Sequence, residues 1–176
     1  MRFRLGSSLI FSGEVELLAD NPLAAARELR ESCEIFEAMG EKSFFSTAAA
    51  RLAEALYAQE RDEEAERWTK RSEETAASLD LLSQVHYRAT RAKIVARQGR
   101  LEDAERLARE AVELAESTDS PNLRAGTLMD LAEILRAAGR ADEASAALRE
   151  SLSLYERKGN LVSAARARAR LGELAP

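Results

Sequence analysis

Apolar side chains recur along this chain at three- and four-residue intervals, the period of a helix face and not the alternation of a strand. Leu128, Leu131, Ala132 and Leu135 make one such stripe, and Ala144, Ala147, Leu148 and Leu152 make the next. Turn chemistry separates the stripes. Gly40, Gly99, Gly139 and Gly159 stand where helices should end, because glycine takes the left-handed cap conformation without steric cost. Ser43, Asp80, Ser120 and Asn160 stand where the next helices should begin, each offering a side-chain oxygen to free amides, and Pro22 and Pro121 suit a first turn. The pattern predicts helices over 8–19, 22–38, 44–59, 62–77, 81–98, 101–117, 121–138, 141–158 and 161–174. That is four pairs and a lone cap. The first helix reads as short and irregular, with Gly13 inside it.

The pairs repeat. Ala26, Ala65, Ala104 and Ala144 follow one another at 39, 39 and 40 residues, each early in the second helix of a pair, and Ala53, Ala92 and Ala132 stand 12 residues before the last three. Small residues at these places let two helices approach closely, so the unit is an antiparallel pair, and stacked pairs share a core that none could form alone. The expected fold is all-α, an α-solenoid of about nine helices in one domain spanning 1–176, with units at 8–40, 43–78, 81–118 and 121–159 and a cap at 161–174. The ends depart from the pattern. Glu14 stands where later units have alanine, and Glu60 replaces a turn glycine, which predicts a looser turn. In the cap, Ala165, Ala169 and Gly172 are expected to face the preceding pair, with Arg166, Arg170 and Glu173 in water.

Composition narrows the chemistry. Aromatic residues make up 5% of the chain and the helix formers Ala, Glu, Arg and Leu dominate, which disfavours sheets. The 26 basic and 31 acidic side chains are interleaved, as on solvated helix faces, and the net charge of -5 carries no polyanion-binding character. Cys33 is the only cysteine and reads as a small buried helix residue; no intrachain disulfide or thiolate cluster can form, which points to a reducing cytoplasm. His86 is the only histidine, so histidine-rich metal ligation is excluded and a Cys–His pair would have to bridge separate helices. The start of the chain has too short an apolar run for a secretory signal, and no run approaches the ~20 apolar residues of a membrane span. No catalytic residue, cofactor or metal site is assigned: the reading is not an enzyme.

The stretch 81–100 carries Arg88, Arg91, Lys93, Arg97 and Arg100 and no acid, yet residues 60–80 beside it hold eight acids against four bases. Cross-helix pairing accounts for this better than nucleic-acid binding, for which interleaved aromatics and a wider basic stripe are missing. The RARAR run from Arg166 to Arg170 reads as solvation of a terminal helix.

A small residue, a Gly-Arg turn, then alanine five residues after the glycine (Ala92, Gly99, Ala104; Ala132, Gly139, Ala144) resembles the tetratricopeptide repeat, here with a unit longer than the usual one. The phrases ALYAQERDEEAERW, KIVARQGRLEDAERLAREAVELAE, DLAEILRAAGRADEA and LYERKGN are similar to the C-terminal superhelices of bacterial STAND-class signalling ATPases, in which such repeats join a nucleotide-binding module and a cyclase-type or DNA-binding effector. The chain has no GxxxxGK[ST] phosphate loop, so the resemblance implies a freestanding or truncated sensor and interaction part. It also implies a right-handed superhelix whose first helices line a concave groove. Carried over, the groove holds Thr47, Ala50, Glu54, Tyr57 and Ala58, then His86, Ala89, Lys93 and Arg97, then Met129, Glu133, Arg136 and Ala137, with Arg166 on the cap. Lys93, Arg97 and Arg136 could meet carboxylates, and Tyr57, His86 and Met129 could give apolar contact. The positions with which related repeats grip a peptide's terminal carboxylate hold Ala50, Glu54, Ala89, Lys93, Met129 and Glu133, and only Lys93 fits. The expected function is binding of a protein or peptide partner within bacterial signalling or transcription control. The alternatives are a self-assembly module working through the terminal units and a small-molecule sensor.

Overall fold

The computed structural model describes residues 1–174. Among them are nine helices and no strand: α1 (Arg2–Leu18), α2 (Pro22–Met39), α3 (Lys42–Tyr57), α4 (Asp62–Thr75), α5 (Leu81–Arg97), α6 (Leu101–Glu116), α7 (Pro121–Ala137), α8 (Ala141–Lys158) and α9 (Leu161–Glu173). Residues 1–90 form one compact unit and those from 91 onward a second, the division falling inside α5. In the first unit α1 packs on α2, α2 on α3 and α3 on α4; in the second α6 packs on α7, α7 on α8 and α8 on α9.

The expected terminators are present. Gly40, Gly99, Gly139 and Gly159 take positive φ, and Ser120, Asn160 and Asp80 accept backbone N–H groups three residues on. Ser43 is not a cap. The Glu41 carboxylate accepts the Ser43 amide instead, and α3 begins two residues earlier than expected, at Lys42. Nor is α1 short: it starts at Arg2 and runs 17 residues.

Two residues without a glycine's freedom also take the left-handed conformation, Asp20 and Glu60, each with φ of 60°. The Glu60 turn is therefore no looser than the glycine turns. Together Asp20, Glu60, Gly99 and Gly139 mark the four turns within pairs, 40, 39 and 40 residues apart. Counted from these residues, the repeat shifts by one in the first pair. Seven positions before each turn residue come Gly13, Ala53, Ala92 and Ala132, and five after come Ala25, Ala65, Ala104 and Ala144, all buried. Gly13 and Ala25, not Glu14 and Ala26, fill the repeat positions of the first pair. Gly13 is the reason that pair can close: a Cβ there would lie 2.6 Å from Cγ of the fully buried Leu29.

A further repeat element links the helices of a pair. The buried hydroxyls of Ser32, Ser72 and Ser151 donate to the carbonyl oxygens of Gly6, Ser46 and Ala125 at 2.9, 2.8 and 2.7 Å. Each serine sits twelve residues after its turn residue and each carbonyl fourteen before. Such a bond satisfies a polar group that burial would otherwise penalise, and contributes about 1 kcal/mol.

The end helices show which face meets which neighbour. Helix α1 packs mainly on its partner α2 and buries Gly6, Ile10 and Gly13; α9 packs on the preceding α8 and buries Ser163, Ala164 and Ala167. Ala165, Ala169 and Gly172 are exposed. They align with Gly6, Ile10 and Gly13, the face turned to a pair's second helix, so the expected orientation of the cap is corrected.

Packing and intrinsic propensity make opposite predictions at Gly13. Alanine favours a helix interior by up to about 1 kcal/mol over glycine, but overpacking costs about 1–3 kcal/mol. Gly13→Ala should therefore destabilise the chain in denaturant titration. Gly126→Ala, whose new methyl would meet only the Tyr155 hydroxyl at 3.6 Å, should stabilise it. Glu60→Gly should raise stability by about 0.5–1 kcal/mol by relieving left-handed strain, whereas Gly99→Ala should lower it by a similar amount.

Candidate partner-binding surfaces

In the first unit, α3 and the start of α5 bring two of the expected residues, Glu54 and His86, together around one that was not expected, Arg51. Its guanidinium pairs with Glu54, one turn ahead, lies 3.2 Å from the Glu14 carboxylate of α1, and has Nη1 3.4 Å from His86 Nδ1. The Glu14 contact is ionic and lacks hydrogen-bond geometry at Nε. Arg51 has its side chain 13% exposed, so the cluster is a partly dry, mixed-charge patch in which neither Glu54 nor His86 projects alone. Thr47 is also engaged. Its hydroxyl lies 3.0 Å from that of Ser83, Ser83 lies 3.1 Å from Ser46, and Ser46 donates to Asp80 at 2.7 Å. The Ser43 carbonyl oxygen also accepts from Ser46 and Thr47, at 2.7 and 3.3 Å, so the three hydroxyls share it and the Asp80 carboxylate in one network. Tyr57 and Ala50 are buried, and Ala58 is exposed.

In the second unit Lys93 is not an exposed cation. Its side chain is 9% exposed, and Nζ lies 2.8 Å from Asp130 of α7. This acid belongs to α7, not to the acidic stretch 60–80. Met129, next to it, belongs to the core with Ala92, Val95 and Leu128. Glu133 lies 3.6 Å from Arg170 of α9, and Arg166 is half-buried. Arg97 and Arg136 are exposed in the last turns of α5 and α7, with Ala137 beside Arg136. Arg136 makes no ion pair among the described residues.

The second helices carry much of their charge in ion pairs, some of them with first helices, as where Arg124 of α7 joins Glu116 of α6 and Glu150 of α8. Arg140 joins Glu143 and Glu105, and Arg100 hydrogen-bonds Asp103; these contacts hold the Glu143 and Asp103 carboxyls below the usual carboxylate range. Such exposed pairs contribute little to stability. Cys33 is 1% exposed, and burial raises its thiol to about 12, so it stays protonated and inert at neutral pH. No group of three His, Cys, Asp or Glu side chains among the described residues could hold a metal ion. No described helix is long and apolar enough to cross a membrane.

Burial of the Lys93–Asp130 pair sets the effect of breaking it. Lys93→Glu would place two carboxylates together in a poorly solvated site and should cost about 3–5 kcal/mol in chemical denaturation. The swap Lys93→Asp/Asp130→Lys should recover part of that loss, while Arg136→Glu should change stability by about 0.5 kcal/mol or less.

The family model for the tetratricopeptide repeat matches residues 84–157. No curated protein sequence matches the chain. Among solved structures, the chain is similar to a Rap protein complexed with competence and sporulation factor, at a TM-score of 0.82 and 16% identity over 94% of this chain and 47% of that one. It is similar to a signal-transduction ATPase with numerous domains and a tetratricopeptide-repeat sensor from Pyrococcus horikoshii, at 0.68 and 18% over 96% and 26%. It is also similar to a putative kinesin light chain with nearly identical tetratricopeptide-like repeats from Podosopora anserina, at 0.58 and 16% over 99% and 96%. The chain thus spans less than half of the first two. Residues 84–157 match the tetratricopeptide-repeat family model, and the fold of the chain is a tetratricopeptide-like helical repeat.

Proposed function

We propose that this chain is a non-enzymatic interaction module which holds an acidic protein or peptide segment on the solvent-facing sides of its first helices. The observation that carries the reading is the pair of exposed arginines ending α5 and α7, Arg97 and Arg136. The fold accounts for Lys93 by an internal ion pair, and Arg136 is left without one among the described residues. Guanidinium groups suit carboxylates because their planar donors can bind two oxygens at once. Half-buried Arg166, Glu133 and the Arg51–Glu54–His86 patch supply further polar contact within their own units. We place it in the regulation of bacterial signalling or transcription control in the cytoplasm; two of the similar structures support the signalling part, one being by name a signalling ATPase with a tetratricopeptide-repeat sensor and the other a Rap protein with a factor bound.

The reading is tested by affinity capture with mass spectrometry, comparing the native chain with Arg97→Glu/Arg136→Glu. A partner retained by the native chain and released by the variant, at unchanged circular dichroism, is the expected result. Equal capture by both forms would remove these arginines from the binding surface.

A further inference from the structure

We propose that α1 is a self-association surface, on which two copies of this chain pair through antiparallel α1 helices; this is independent of the partner-binding reading. One face of α1 is open, and it is a face that other first helices bury. Helix α9 uses Ala164, Ala167, Leu171 and Leu174 against the preceding pair. The corresponding residues of α3, Ala48, Leu52 and Ala55, are fully buried in a helix packed on α2 and α1. In α7, Thr127, Leu131 and Ile134 are buried in turn. In α1 the same face is exposed: Leu5, Ser8, Ser12 and Val15, flanked by Phe11 and Leu18, with Phe11 66% and Val15 62% exposed. It therefore continues an interface that the chain builds internally.

The charge order along α1 selects the occupant. Arg2 and Arg4 stand at the start, and Glu16 and Asp20 at the end, Glu14 being held by Arg51. This opposes the helix dipole, which favours acids at the start and bases at the end, and the first turn holds no acid and the last no base. An antiparallel copy reverses the order, bringing Arg2 and Arg4 to the partner's acidic end. With the crossing near Phe11 and Ser12, large side chains at the centre meet small ones, Phe11 over the partner's Ser12 and Val15 over the partner's Ser8, and at the periphery Leu5 meets the partner's Leu18. Large-against-small alternation at 3.5-residue spacing is how two helices interdigitate, and a two-fold pairing closes on itself without propagating.

Sedimentation equilibrium of the intact chain should show a concentration-dependent dimer. Phe11→Glu and Val15→Glu, both at exposed positions, should keep the helical circular dichroism and raise the dimer dissociation constant about 30-fold or more, as for a central interface residue. Ser12→Cys, which lies next to the two-fold axis, should oxidise to a disulfide-linked dimer; Cys33 is buried and does not compete. A monomer at hundreds of micromolar would overturn the proposal, as would a dimer indifferent to Phe11→Glu. So would a mixture in which Ser12→Cys chains link to Ala169→Cys chains and not to one another, since that would be head-to-tail contact with α9.

Discussion

Where the two helices of a pair cross, there is room for a hydrogen or a methyl group and little else. Gly13 lies so close to Leu29 that even a Cβ would collide, and the matching places in the other pairs are filled by Ala53, Ala92 and Ala132. What puts these residues at the crossing is the left-handed turn residue, seven positions on. An α-helix turns by about 100° per residue, so a slip of one position would rotate the small side chain out of the crossing and a larger one in. The turn conformation, the small residue before it, the alanine after it and the serine-to-carbonyl bond are thus parts of one constraint.

That constraint explains what the sequence revealed and what it hid. Four turn residues were legible because they are glycines, and with them came the pairing, the period and eight of the nine helices nearly to their ends. Asp20 was not, and Glu60 was legible only as standing in a turn glycine's place, because nothing in the identity of an aspartate or glutamate announces a positive φ; the local backbone is held there by the helices on either side. The one-residue shift at Asp20 made Ala26 and Glu14 look like repeat positions when Ala25 and Gly13 are. The orientation of α9 was misread for a different reason. A first helix buries two faces, both rich in small residues, and the pattern alone does not say which face lacks a neighbour at the end of the stack.

The candidate surface was less legible than the fold. Its positions came from the helical register of α3, α5, α7 and α9, and of these Ala50, Tyr57, Lys93 and Met129 are buried. What it could not show is which charges are already used. Lys93 and Asp130 stand 37 residues apart in the sequence, and only the packing of α5 on α7 within the second unit makes them a pair. Arg51 was overlooked because its role is to gather Glu14, Glu54 and His86, residues of three helices. The fold consumes most positions of each first helix, so a partner has few side chains left to read. This is how one scaffold can serve unrelated ligands through changes at a few positions.

The central claim, that close helix approach at the positions set by the turn residue holds each pair together, is tested most directly by comparing two alanines of one helix. Ala144 is fully buried five residues after Gly139, and Ala146 is exposed two residues further on. Denaturant titration should show Ala144→Leu losing about 1–3 kcal/mol, while Ala146→Leu stays within about 0.5 kcal/mol of the native chain. Equal stability of the two variants would contradict the account.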